Sequence, residues 1–494
     1  MLSAEHLPAL QVVVPLAAAP LIVLLRRPGA AWAIAAAAAA FAFACAVMLA
    51  WRVAAEGAIS YELGSWAPPW GIEYRVDALS SFVLVLVASI GAVAALYARR
   101  SIAAELHVDQ HYLFYTMFVL CLAGLLGMTI TGDAFNLFVF MEISSLSMYV
   151  LIALGSHRRA LLAGFQYLIL GTIGATCFVI GVGLLYLSTG TLNIADLALR
   201  VQEVQDLRPV LAALAFLTVG ISLKAALFPL HLWLPNAYTY APSVVSAFLA
   251  ATATKVSIYV LVRFYFTVFG EQLVLEALPM SEVLIGLSVL AIVTASLVAV
   301  FQEDLKRMFA YSSVAQIGYI TLGVGLANTS GLTAAMVHLF NHGITKGAIF
   351  LLLGGLALRA GRTGFDCAAG IARSMPLTAF GMVIAGLSLI GVPGTAGFIS
   401  KWYLVLGAIE QGQWWLAALV VVTSLIAVAY VWRLVEAAYL TEPAAATPQA
   451  GEAPLSLLVP AWVLVAACVY FGFETSFNVG GARAAAEMLL GGGP

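Results

Sequence analysis

Charge is what this sequence has least of. Only 9% of its 494 residues are Asp, Glu, Lys or Arg, while 63% are hydrophobic. A water-soluble domain carries about 25% charged residues, so a chain this poor in them cannot cover its own surface in water. The net charge of −2 leaves no basic surface for nucleic acid. Cysteine is scarce too: Cys45, Cys121, Cys177, Cys367 and Cys468 are scattered in or beside apolar segments. None is spaced to ligate a metal or a cluster, and all five read as packing residues. No flavin, nicotinamide or cluster site is visible, so no cofactor is expected. The N-terminus lacks a basic n-region and a clear cleavage site, so its first apolar run is expected to stay as helix one.

Long apolar runs are what the sequence has instead. Stretches of about 20 residues recur along the whole chain, each long enough to cross ~30 Å of hydrocarbon. Backbone groups in lipid must be bonded internally, so the fold class is an all-α polytopic membrane protein of about fourteen helices. They fall near 8–26, 30–51, 77–98, 112–131, 133–154, 160–188, 209–230, 239–268, 282–301, 305–327, 330–357, 376–409, 413–439 and 453–473.

Alternate loops carry Arg26/Arg27, Arg99/Arg100, Arg158/Arg159, Lys306/Arg307 and Arg359/Arg362/Arg373, while the opposite loops are acidic, with Glu56, Glu62, Glu73, Asp196, Glu203, Asp206, Glu271, Glu276 and Glu282. By the positive-inside rule this places both termini outside the cytoplasm, with the chain in the inner membrane. The Trp-, Pro- and Tyr-rich loop 52–76 reads as an interfacial hairpin, 189–208 as a second long outer loop, and 441–454 as a flexible one.

Against this background a few charges stand out, because each costs at least ~2.5–3.5 kcal/mol at mid-bilayer. Glu142 lies nine residues into its helix, roughly 13 Å down; the plain alternative is a carboxylate bonded to Ser144 or Ser145. Lys224 precedes Pro229 and Pro235, which break or kink a helix, and free carbonyls at such a break suit an ion path. The alternative is a lysine snorkelling to the interface. Lys255 sits near the centre of its helix among Thr252, Thr254 and Ser257.

His338, His342 and Lys346 are at i, i+4 and i+8, one stripe on one helix face. Histidine titrates near neutrality, which suits a hopping proton. Two His at that spacing also match half a metal site, but no third ligand is evident. Lys401 follows Gly391, Pro393, Gly394 and Gly397, so a second broken helix carries a second lysine. Lys306, with Asp304, opens its helix near the surface; it reads first as a topology determinant and is kept as a relay candidate.

Lysines in broken helices thus recur at Lys224 and Lys401, and Gln166 and His338 occupy similar places. Transporters often hold two inverted halves with an ionisable centre in each. The division read from this is 1–111 for helices one to three, 112–268 and 269–440 for two inverted five-helix repeats with broken helices seven and twelve, and 441–494 for a loop and helix fourteen.

The runs KAALFPLHLWLPNAYTYAPSVVSAFLAATATKVSIYVLVR, EDLKRMFAYSSVAQIGY and VHLFNHGITKGAIF resemble the proton-antiporter subunits shared by respiratory complex I and Mrp-type multisubunit cation/proton antiporters. The resemblance covers roughly residues 70–440. It implies a first half-channel of Glu142, Lys224 and Lys255, a helix-eleven cluster of His338, His342 and Lys346, and a helix-twelve lysine, Lys401. It also implies other membrane subunits as partners, and H⁺ with Na⁺ or K⁺ as the ions moved. Chain length and a lysine at 401, where one complex I branch has glutamate, make the sequence most similar to the D-type subunit of Mrp antiporters. The competing classes are a proton-pumping subunit of a redox enzyme and a scaffold with a dead channel; the number of retained buried charges argues against the latter.

Overall fold

The computed structural model describes residues 4–442 and 451–491. Most of the 441–454 loop, and the last three residues, lie outside that range. The described residues are overwhelmingly helical: α1 (Leu7–Leu25), α2 (Pro28–Glu56), α3 (Ala78–Glu105), α4 (His111–Ile130), α5 (Ala134–Ala153), α6 (Arg159–Thr189), α7 (Ile194–Val201), α8 (Leu207–Ala225), α9 (Trp233–Tyr240), α10 (Ser243–Ala251), α11 (Ala253–Val262), α12 (Met280–Val300), α13 (Leu305–Gly325), α14 (Thr329–Ala360), α15 (Phe365–Ala368), α16 (Ile371–Ser374), α17 (Pro376–Ile390), α18 (Ala396–Glu410), α19 (Trp414–Val435), α20 (Leu455–Phe473) and α21 (Ser476–Leu490).

Several helices begin where an Asp or Asn side chain takes up an orphan backbone N–H. Asp77 accepts from Ser80, Asp133 from Asn136, Asp304 from Arg307 and Asn328 from Gly331. Polar caps of this kind mark the ends of the apolar runs, which is why the helix starts fall close to the sequence expectation.

Twelve helices among the described residues are long and apolar enough to cross a membrane. Two of the fourteen expected spans do not reach that standard, for a physical reason in each. Span ten, α13, is diluted by Lys306, Arg307, Ser312, Ser313 and Gln316. Span twelve is split at 391–395 into α17 and α18, of 15 residues each.

The outer loop 52–76 forms the expected hairpin: β1 (Ile59–Glu62) pairs antiparallel with β2 (Glu73–Val76). Tyr74 then bridges Thr131, and Asp133 bridges Asn193. The acidic loops are thereby gathered at one end of the bundle, as the charge alternation requires.

One helix organises the interior. In α14 every residue from Gly331 to Leu356 is buried, the pattern of a helix with no lipid-facing side. It packs against α3, α10, α13, α17, α18, α20 and α21. The last of these was not foreseen, since the sequence reading ended at span fourteen. α21 lies against α14 and α3, burying Asn478, Ala482, Ala485, Ala486 and Leu489 while Arg483 and Glu487 pair on its outer side.

Among the described residues three of the expected spans are interrupted. Span seven breaks after α8, where Ala226 adopts φ +55 and the chain runs irregularly to α9. Span twelve breaks at Gly391, with φ +87; a Cβ there would also stand 2.9 Å from the Lys401 side chain, so only glycine suits the position. Span eight, expected as one helix over 239–268, breaks at Thr252. The Thr252 hydroxyl donates to the Phe248 carbonyl at 2.6 Å, a local bond that competes with the helix ladder.

Candidate functional site

Each helix break leaves backbone carbonyls without an N–H partner, and a lysine ammonium, with three donors and no acceptor, sits near each. Lys224 occupies the last turn of α8 and is 3% exposed. Its Nζ lies 3.5 Å from Glu142 Oε1 on α5. It also donates to Ser145 Oγ at 2.7 Å and Tyr149 Oη at 3.3 Å. The snorkelling alternative is therefore excluded, and Ser145, weighed earlier as a bonding partner for the glutamate, bonds the lysine. Ser144 turns back to the Met141 carbonyl. At the break the Leu223 carbonyl accepts from the Ala226 N–H at 3.3 Å and from the Trp233 indole at 2.9 Å.

Lys255 is completely buried. Its ammonium donates to the Ala250 carbonyl, which the Thr252 break releases, and to Thr254 Oγ1 at 3.3 Å. Between Lys224 and the Ser257 side of the same helix lies a cavity of about 20 Å³, lined also by Ser145 and Tyr167. That is room for about one water molecule.

α14 approaches this break closely because residue 343 is glycine: a Cβ there would stand 2.9 Å from the Ala251 carbonyl. The close approach seats the α14 helix that carries the expected stripe against the break beside Lys255. His338 bonds Ser400 Oγ through Nδ1 at 2.7 Å and Gln316 Oε1 through Nε2 at 2.9 Å. His342 stacks parallel on His338 with ring centroids 5.8 Å apart, and neither of its ring nitrogens has a hydrogen-bond partner. Lys346, fully buried, donates to the Phe309 carbonyl at 2.7 Å and to Ser312 Oγ. No group of three or more His, Cys, Asp or Glu placed to hold a metal occurs among the described residues.

Lys401 ends the series on α18. Its Nζ donates to the Leu389 and Ile390 carbonyls at 3.1 and 2.9 Å and to Ser424 Oγ at 2.9 Å. Those carbonyls close α17, the negative end of a helix dipole, and the Tyr319 ring faces the ammonium at 4.8 Å. Lys401 is buried, so the membrane-surface reading fails here as well.

Lys306 stands apart. It is buried, contrary to a surface position, but its nearest partners are the Ala241 carbonyl at 3.3 Å and Ser243 Oγ at 3.5 Å. None of the other titratable candidates is among them.

The structure also brings in residues that the sequence reading passed over. Ser312, Gln316 and Tyr319 on α13 contact Lys346, His338 and Lys401 in turn. They are spaced i, i+4, i+7, one helix face, so a search for polar periodicity would have found them. Tyr149, Ser400 and Ser424 carry no such local signal.

This helical membrane chain, with interrupted helices holding lysines in its interior, is by its likeness to known proteins an antiporter-like subunit of the proton-translocating class built into Mrp and complex I-like assemblies. The profile of the NADH:quinone oxidoreductase/Mrp antiporter transmembrane family matches residues 131–427, and the chain belongs to that family. It is 44% identical to NADH-quinone oxidoreductase subunit N of Desulforudis audaxviator, over 94% of this chain and 95% of the relative. It is 31% identical to the D-type subunit of the Na⁺/H⁺ antiporter of Alkalihalophilus pseudofirmus, over 86% and 85%. Among solved structures it is similar to a chain of the Mrp complex from Dietzia, with a TM-score of 0.90, 26% identity and coverage of 99% and 98%. A chain of complex I from Thermus thermophilus shares the fold, with a TM-score of 0.82 at 23% identity over 98% and 100%. The expected likeness to the D-type antiporter subunit is thus joined by a stronger sequence likeness to a complex I subunit.

Proposed function

We propose that this chain carries protons through the membrane along Glu142, Lys224, Lys255, His338, His342, Lys346 and Lys401, as one subunit of a multisubunit monovalent cation (Na⁺)/proton antiporter in the inner membrane. The observation that carries the reading is the contact of Lys224 with Glu142 at 3.5 Å inside a membrane-spanning bundle. Desolvation disfavours a charged lysine and a neighbouring carboxylate favours it. With the pair closed, Lys224 keeps its proton. With the pair apart, the proton passes through the adjoining cavity toward Lys255 and on to the α14 histidines, and Lys401 acts as the exit gate. On this reading residues 112–268 and 269–440 form the two halves, and Lys306 is a peripheral member.

The experiment is proton transport in everted vesicles from cells carrying Lys224→Ala or Glu142→Ala in the full complex. Loss of transport with the complex still assembled is the expected result; transport equal to wild type removes the relay.

A second reading keeps the relay and changes its driver: a proton-pumping membrane subunit of a complex I-like oxidoreductase. The 44% identity to subunit N over nearly the whole chain favours it. Affinity purification decides between the two. Co-purifying iron–sulfur and flavin subunits select the redox-driven assembly, and membrane subunits alone select the antiporter.

A further inference from the structure

α18 begins without a cap of its own. The starts of α3, α5, α13 and α14 are each closed by an Asp or Asn side chain. At the start of α18, just past the span-twelve break, Thr395 gives the helix no such bond. Its hydroxyl turns back to the Val392 carbonyl at 2.7 Å. A helix start leaves backbone N–H groups unsatisfied, so what holds this one comes from elsewhere.

It comes from one face of α14. His338, Asn341 and Thr345 are spaced i, i+3 and i+7, which aligns them. His338 bonds Ser400 Oγ at 2.7 Å. The Asn341 amide donates to the Ala396 carbonyl at 2.8 Å. Thr345 shares a 3.0 Å hydrogen bond with Ser388 Oγ in the last turn of α17, and that oxygen accepts the Gly397 N–H at 3.3 Å. Three rungs therefore tie α14 to both sides of the break.

The middle rung is backed from behind. Asn341 and Asn478 of α21 are both completely buried. Asn478 Nδ2 donates to Asn341 Oδ1 and to the Phe471 carbonyl, at 3.3 Å each. Asn341 thus uses both ends of its amide, the nitrogen on Ala396 and the oxygen on Asn478. Aspartate would lack the donor and leucine would lack both groups. The end of α20 presses on the same break: a Cβ at Gly472 would stand 2.5 Å from the Gly394 carbonyl oxygen.

What the bridge fixes is the placement of α18 against α17, and Lys401 depends on that placement. The lysine comes from one side of the break, and the Leu389 and Ile390 carbonyls that accept from it come from the other. We infer that Asn341 is a positioning residue for Lys401, with Asn478 holding its amide: the bridge sets α18 so that the ammonium meets those two carbonyls. The inference rests on the reading of Lys401 as a relay station. Its test reads the break directly, so either can fail without the other.

In the full chain within its assembled complex, backbone hydrogen–deuterium exchange is followed in 396–401, with 222–227 at the span-seven break as reference. Asn341→Leu should speed exchange in 396–401 about tenfold, the factor for one lost buried hydrogen bond, and leave the reference unchanged. Unchanged exchange at 396–401, or equal acceleration at both breaks, overturns the bridge. Proton transport supplies the second readout. Asn341→Leu alone should slow it, and Asn341→Leu combined with Lys401→Ala should be no slower than Lys401→Ala by itself. Losses that multiply mean that Asn341 acts elsewhere, and they overturn the positioning role. Lys401→Ala transporting like wild type removes Lys401 from the relay, and faster exchange at 396–401 then still upholds the bridge. Should Asn341→Leu not accumulate, Asn478→Ala is measured in the same way. An acceleration of roughly threefold at 396–401 supports the bridge, and none overturns it.

Discussion

The lysines beside the breaks in spans seven and twelve are held by different chemistry. In the first, Lys224 faces a carboxylate, Glu142, across 3.5 Å, and the pair is neutral as a unit. In the second, Lys401 has only neutral oxygens, two helix-end carbonyls and Ser424. Among the described residues Glu142 is the one carboxylate in a salt bridge with a candidate relay lysine. A carboxylate can move away and strip its partner of most of its stabilisation, whereas carbonyls fixed at the end of α17 cannot. On the proposed relay, Lys224 is therefore the lysine able to switch and Lys401 the one that is held.

The largest effect that tests this contrast comes from the pair itself. Glu142→Ala and Lys224→Ala should each lower proton transport in everted vesicles by about a hundredfold or more, the scale of losing a positioned acid–base group. A charge-conserving Glu142→Asp that retains most activity would sharpen the switch reading, because the carboxylate survives at a shorter reach.

Lys401→Ala should cost at least about tenfold in the same assay. If it runs like wild type while Lys224→Ala is dead, the second half is off the path and the two halves are not equivalent. Next in size are the supports of His338. Gln316→Leu or Ser400→Ala leaves a buried imidazole nitrogen unpaired, at about 1–3 kcal/mol, and a loss of that size in the transport barrier reads as roughly tenfold. Unchanged rates in both variants would mean that the orientation of His338 is immaterial.

Gly343→Ala tests whether the halves must touch. Its methyl would stand 2.9 Å from the Ala251 carbonyl, so an overpacking cost of about 1–3 kcal/mol is expected, read as lower thermal stability in detergent together with slower transport. A variant as stable and as fast as wild type would show that α14 does not need its close seat on the span-eight break. The smallest effect belongs to Lys306→Gln, which should stay within about twofold of wild type, under ~0.5 kcal/mol of barrier. A tenfold loss would move Lys306 from the periphery into the relay.

Much of this was legible in the chain. The apolar runs located the helices, and the alternation of arginine-rich and acidic loops matched the gathering of the hairpin, Thr131 and Asn193 at one end. Prolines and glycines announced the breaks in spans seven and twelve. The break in span eight was hidden, because Thr252 sits in a run of small residues with no proline or glycine and acts only through its bond to Phe248. α21 was missed because its fifteen residues are too few and too mixed to resemble a span. Lys306 was placed at the surface by its nearness to a helix start, yet the chain ahead of α10 folds over it.

What the sequence determined by itself was the solvent and the expense: too few charges for water, and a handful retained where lipid makes each one costly. Which of those charges meet was decided by tertiary structure alone. Glu142 and Lys224 are 82 positions apart, Gln316 and His338 lie on different helices, and a hydrogen bond extends only about 3 Å. No local pattern encodes a contact of that range. It is fixed by where helices break and how closely glycines let their neighbours approach.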